Sequence, residues 1–262
     1  MQWDPGEYLQ FGEERGRAFV DLLARVPAEH PRRVVDLGCG PGNLTRVLAR
    51  RWPGARVEGI DASPEMVERA RAEGETDRLT FRVGDLRHWA PAGPVDVVVS
   101  NATLQWVPGH LDLLERLVAA VRPGGWLAFQ VPGNFAERSH TAIAELRADP
   151  RWRERLDGLE VEQPAAEEPE VYLDRLVALG CRPDVWETTY LQVLQGPDAV
   201  VRWISGTGLR PVLGVLDEAE RAELVAGYRA LVAPAYPELP WGTVLPYRRV
   251  FAVAQRPADV AG

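Results

Sequence analysis

Val34-Val35-Asp36-Leu37-Gly38-Cys39-Gly40-Pro41-Gly42-Asn43-Leu44-Thr45 decides the fold of this 262-residue chain. Its first residues read as a buried strand, its three glycines as a tight turn, and its end as a helix opening near Asn43. That order is the first unit of an α/β fold with a nucleotide-type cofactor loop. A dinucleotide loop is spaced G-x-G-x-x-G, so that backbone amides and a helix N-terminus meet a pyrophosphate. Here the spacing is G-x-G-x-G, with Pro41 between the last two glycines. Asp36 also stands two residues before Gly38, beside where phosphates would lie. A carboxylate there repels phosphate and attracts a cation. Asp36, Gly38, Gly40 and Gly42 therefore read as the cradle of a cationic cofactor without phosphates.

Working outward, strands and helices alternate. Apolar residues at helical spacing (Phe19, Leu22, Leu23 and Val26 among them) predict an amphipathic helix over 7–26. Strands are expected at Arg33–Gly38, Val57–Asp61, Leu79–Val83, Val95–Ser100 and Trp126–Val131. Helices fill 43–51 and 109–121, and one starts at Ser63-Pro64 with Ser63 as N-cap and Pro64 at N1. Arg122-Pro123-Gly124-Gly125 reads as the turn into the fifth strand. Beyond Pro132 come a charged helical stretch at 134–157, an acidic linker at 163–169, a helix at 170–179 ended by Gly180, and strands at 185–194 and 248–255. Continuous apolar strands alternating with helices imply an α/β fold: a doubly wound, mostly parallel seven-stranded sheet covered on both faces. The expected organisation is a helical segment over the cofactor at 1–30, a core at 31–195 and 248–262, and a helical substrate cap at 196–247, all within a single domain.

Ligands of open α/β sheets sit at the carboxyl ends of the strands. Asp61 closes the second strand, placed to accept from ribose hydroxyls. Asp85 follows the third, placed to accept from an adenine amino group. Asn101 follows the fourth, where its carbonyl faces an ammonium. Met66, one turn into the helix after Asp61, packs on an adenine face. S-adenosylmethionine (SAM) combines a sulfonium, an ammonium and an adenosine with no phosphate, and it meets all four requirements.

Composition narrows the partners. The formal net charge is −8, which argues against nucleic acid and anionic membrane. No apolar run approaches a membrane span, and the start of the chain lacks a signal-peptide pattern. Cys39 and Cys181, the only cysteines, read as reduced thiols of a cytoplasmic protein. All 30 basic residues are arginine, so any anion site is built from guanidinium forks suited to carboxylates. No histidine lies in a recognisable acid–base motif, and no metal site is expected. A monomer accommodates the reading.

Val34–Thr45, Gly59-Ile60-Asp61-Ala62-Ser63-Pro64, Gly84-Asp85-Leu86 and Arg122-Pro123-Gly124-Gly125 resemble the successive motifs of class I SAM-dependent methyltransferases, which are Rossmann-like. That resemblance adds Ala62 and Leu86 to the cofactor site. A narrower likeness runs outside the core. Trp3-Asp4-Pro5, Tyr8-Leu9-Gln10-Phe11, Asn101-Ala102-Thr103-Leu104-Gln105-Trp106, Thr207-Gly208-Leu209-Arg210-Pro211 and Tyr247-Arg248-Arg249-Val250-Phe251 are similar to the trans-aconitate 2-methyltransferases. The resemblance implies transfer of a methyl from SAM to one carboxylate of trans-aconitate, leaving a monomethyl ester and S-adenosylhomocysteine.

A carboxylate is ionised at neutral pH and needs no general base, so no catalytic residue is assigned and positioning carries the rate. Arg210, Arg249 and Arg15 are the expected clamp on the other carboxylates, with Arg248 an alternative to Arg249. Tyr8, Trp106, Tyr190 and Trp203 are the expected pocket walls, with Trp3 and Tyr247 as further candidates. The competing reading is a methyltransferase for another small acid or a natural-product hydroxyl. A cofactor-binding regulator is disfavoured by the intact loop and long cap, and a dehydrogenase by the glycine spacing and Asp36.

Overall fold

The computed structural model describes residues 12–156, 159 and 165–258. Its first half follows the expected alternation: α1 (Gly12–Ala24), β1 (Arg33–Leu37), α2 (Asn43–Arg51), β2 (Arg56–Asp61), α3 (Pro64–Ala72), β3 (Leu79–Val83), β4 (Val95–Asn101), α4 (His110–Ala120) and β5 (Val121–Pro132). Then come α5 (Arg138–Ala148), α6 (Pro150–Leu156), α7 (Pro169–Ala178), β6 (Arg182–Leu194), α8 (Ala199–Ser205), α9 (Arg210–Leu213), α10 (Glu218–Val232), β7 (Glu238–Leu239) and β8 (Gly242–Gln255). The sheet runs β3-β2-β1-β4-β5-β8-β6, with β7 paired to β8. β1 to β5 pair in parallel and β8 runs antiparallel to β5. The expected seven strands form this path, and the short β7 makes an eighth.

Local chemistry explains the elements. In α1, Ala18, Phe19, Leu22 and Leu23, followed by Val26, repeat at helical spacing and are almost fully buried. Ser63 Oγ accepts from Met66 N at 3.3 Å and Pro64 fills the first turn of α3. Gly180, with φ +76°, follows α7 as expected of a helix stop. In the core, Leu37, Ile60, Val98, Phe129 and Val131 of the sheet pack with Leu114 and Leu117 of α4 and Tyr172 and Leu176 of α7. Burying each such side chain favours the fold by about 1.5–3 kcal/mol. Cys39 and Cys181 are free, buried thiols, and burial raises both pKa values. No helix among the described residues is long and apolar enough to cross a membrane.

Two expectations change. The expected turn at Arg122–Gly125 is a bulge inside β5, where the register with β4 jumps from Val95↔Val121 to Val97↔Trp126. Gly125 fits there because an added Cβ would lie 2.6 Å from the Asp96 carbonyl oxygen. The last strand begins at Gly242 rather than 248, through a tight hairpin pairing Leu239 with Gly242 at φ +125°. Pro246 hid that extension in the sequence, since proline argues against a strand interior.

Contacts divide the described chain into two compact units. One comprises 12–132, 165–187 and 249–258 and holds β1 to β5. The other comprises 133–156 and 188–248, so that α5 and α6 group with the segment 196–247. In this second unit the hydroxyls of Tyr228 and Tyr236 bond the Ser139 backbone at 2.7 and 3.1 Å. Asp217 and Glu220 form a reciprocal capping box at the start of α10.

Candidate functional site

The glycine loop leaves β1 at the carboxyl edge of the sheet. Gly38 and Gly42 have φ of +79° and +80°, and an added Cβ would strike the Thr103 side chain at Gly38 and the Phe81 ring, 2.7 Å away, at Gly42. Among the described residues, nothing lies within 4 Å of a Cβ added at Gly40. The loop is thus packed behind and open at Gly40. Gly40 N donates to Asp61 Oδ2 at 2.8 Å, and Ser63 N donates to Asp61 Oδ1 at 2.9 Å. Asp61 therefore ties the loop to the start of α3 while keeping further lone pairs on both oxygens. Ala62 beside it is exposed, and Met66 is 5% exposed on α3.

Asp36 lies 2% exposed beneath the loop and accepts from Thr45 Oγ1 at 2.7 Å. Burial pushes its pKa up to about 7; the Thr45 hydrogen bond opposes this and the nearby Asp61 charge adds to it. A cation bound above Asp36 would draw it into the ionised form. The two carboxylates suit a cationic cofactor, and Arg46 Nη1 stands close behind Gly42, 2.8 Å from the position of an added Cβ.

Two expected acceptors are already engaged. Asp85 is bonded by Arg87, with Nε at 2.9 Å and the backbone N at 2.8 Å. That pairing, in a turn two residues long, holds its pKa below the usual carboxylate value. Leu86 next to it is in the hydrophobic core. Asn101 Oδ1 receives Gln130 Nε2 at 2.6 Å, and its backbone carbonyl receives Thr103 Oγ1 at 3.1 Å. Ala102 follows at φ +52°, a conformation rare without glycine. Its N–H donates to Gln130 O and its carbonyl accepts from Gln105 Nε2, which hold it there.

Sequence reasoning missed Gln130. It is fully buried and pairs in register with Asn101. Its Oε1 accepts from Arg249 Nη1 at 3.2 Å. A chain Arg249–Gln130–Asn101 thus crosses the carboxyl edge, and the direction of each bond fixes the orientation of the glutamine amide. The available signal was one polar residue in the apolar run Trp126–Val131. Arg249 is 3% exposed and sits opposite Pro132 in the β5–β8 ladder. Arg248 points to the other side and donates to Gly133 O at 3.4 Å.

In the other unit, Arg210 opens α9, half-buried, with its N–H bonded to Thr207 O. Trp203 is 1% exposed and meets Tyr247 edge-on at 5.8 Å; Tyr190 is buried on β6. Trp106, in the first unit, is half-buried at the end of a single 3-10 turn. Arg15 falls in α1 but its side chain is outside what is described, and Trp3 and Tyr8 lie outside the described residues.

A family model described as a methyltransferase domain matches residues 11–172. The trans-aconitate 2-methyltransferase of Streptomyces avermitilis is 53% identical, over 98% of this chain and 97% of its own length. The chain belongs to the trans-aconitate 2-methyltransferase family. Its counterpart from Mycolicibacterium gilvum is 49% identical over 97% of this chain and 98% of that one. Among solved structures, the YcgJ protein of Bacillus subtilis matches with a TM-score of 0.62 at 13% identity, covering 94% of this chain and all of that one. A putative methyltransferase of Haloferax volcanii, solved with the Trm112 activator, matches at 0.57 and 23% identity, over 97% of this chain and 95% of its own. These distant structures show the family's fold: a class I methyltransferase sheet.

Proposed function

We propose that the protein is a SAM-dependent carboxyl O-methyltransferase that converts trans-aconitate to its monomethyl ester, in the cytoplasm. Similarity to trans-aconitate 2-methyltransferases over nearly the whole chain carries the reading, because it extends beyond the cofactor unit. Bound SAM supplies a methyl on a sulfonium; a substrate carboxylate oxygen forms the new C–O bond as the S–C bond breaks, leaving S-adenosylhomocysteine. Asp36 and the Gly38–Gly42 loop would hold the cationic end. Asp61 would take the ribose, and Met66 would lie against the adenine. Arg249 and Arg210 are the candidate cations for the substrate's carboxylates. The burial of Arg249 supports this role, since a dehydrated guanidinium binds carboxylate more strongly than an exposed one.

No base is required, and His140 is a weak one. Desolvation drives its pKa down to about 4, so the imidazole holds a proton only weakly. The test is methyl transfer across di- and tricarboxylic acids, with phenols as controls. Trans-aconitate is expected to give the highest kcat/KM; preference for a phenol, or for an acid with one carboxyl, would overturn the assignment.

A further inference from the structure

The loop after β5 holds a side chain whose polar atoms have no partner. Asn134 is 1% exposed, and neither its Nδ2 nor its Oδ1 makes a hydrogen bond. Among the described residues it is the one amide orphaned at both ends. Buried polar groups are nearly always satisfied, so an exception asks for an explanation.

The frame around Asn134 is pinned. Gly133 N donates to Arg248 O at 2.9 Å, and Arg248 Nη1 donates back to Gly133 O at 3.4 Å. The Asn134 carbonyl accepts from Glu137 N at 3.1 Å, closing the turn into α5. Ser139, at the first turn of that helix, is held by the Tyr228 and Tyr236 hydroxyls. Phe135 meets His140 edge-on at 5.4 Å. A Cβ added to Gly208 would lie 3.0 Å from Ile143 and 4.0 Å from His140, so the turn leading to Arg210 rests on the same helix. The amide is therefore fixed at a corner built by the β5 loop, α5 and the 207–210 turn, with a guanidinium anchored at the preceding residue.

We propose that Asn134 binds a carboxylate of the substrate, its Nδ2 acting as a neutral donor beside the Arg248 guanidinium. The inference rests on the polycarboxylate reading above and adds a contact to it. A hydrogen bond to an ionised carboxylate is charge-assisted even when its donor is neutral, and is about twice as strong as a neutral pair. The Oδ1 is met by a water carried in with the ligand.

Two nearly isosteric variants test this. Asn134→Leu removes both polar atoms, and Asn134→Asp keeps the shape and adds a negative charge. Their melting temperatures without ligand, calorimetric SAM affinities and steady-state constants for trans-aconitate are compared with wild type. Asn134→Leu is expected to melt no lower than wild type, to bind SAM within about two-fold, and to raise KM by about ten-fold or more. Asn134→Asp is expected to raise KM further by repelling the carboxylate, and it carries the test alone if the leucine variant does not fold. An unchanged KM in either variant, or a lower melting temperature with normal kinetics, would assign the amide to a structural water and overturn the proposal. A wild type inactive on trans-aconitate would instead overturn the substrate reading on which it rests.

Discussion

Asp36 is the residue on which the cofactor reading turns. In the proposed function it faces the cationic end of SAM, and burial pushes its pKa up to about 7, which would link cation binding to loss of a proton. Below about pH 7 the ligand-free protein holds a proton that a bound sulfonium must expel. SAM affinity is therefore expected to rise with pH, by at most about ten-fold per unit below pH 7, and to level off above it. Calorimetry between pH 5.5 and 8.5 checks this, with Asp36→Asn expected to bind weakly and without that slope; a flat wild-type profile would contradict it. The same shift has a stability sign. The folded pKa lies above the ordinary aspartate value of 3.8, so the folded chain binds the extra proton between about 3.8 and 7. Asp36 thus lowers ligand-free stability as pH rises through that window. The sequence made Asp36 and Asp61 legible because both close apolar strands. It could not show that Arg87 engages Asp85, or that Gln130 engages Asn101. Those bonds depend on rotamers and on strand register, which spacing does not encode.

The elements of the cofactor half were legible nearly to the residue. Their strands are continuous apolar runs and their helices carry standard start and stop signals, Ser63-Pro64 at one beginning and Gly180 at one end. The β5 bulge and the β7–β8 hairpin were not, because a proline-glycine run reads as a turn whether it lies outside a strand or within one. The loop between β1 and α2 also depends on a neighbour the sequence does not reveal. Gly38 is backed by Thr103, which follows β4. Gly38→Ala combines a disfavoured positive φ with a clash. It is expected to cost about 2–4 kcal/mol of stability and to weaken SAM binding at least ten-fold. Thermal unfolding and calorimetry check this; a variant with wild-type melting would mean that the loop and Thr103 separate readily.

For the whole molecule, the class of chemistry follows from the cofactor motifs and the proposed acceptor from likeness outside them. The cofactor unit is recognised by geometry that many methyl acceptors share, so its strand-end residues say little about substrate. The proposed substrate contacts, Arg249 and Arg210, lie outside the cofactor motifs, and the irregular connections around Arg210 have no period to read. Periodicity cannot reveal Asn134 or Gln130, since each is defined by what it meets in three dimensions. The central claim is the bond that the enzyme makes. Incubating the protein with trans-aconitate and SAM carrying a 13C-labelled methyl, then recording the carbon spectrum of the product, observes that bond directly. The account predicts one new methyl-ester carbon in stoichiometric amount, lost on mild alkaline treatment. A label that survives alkali as an ether, an amine or a carbon-bound methyl, or no transfer to trans-aconitate, would contradict it.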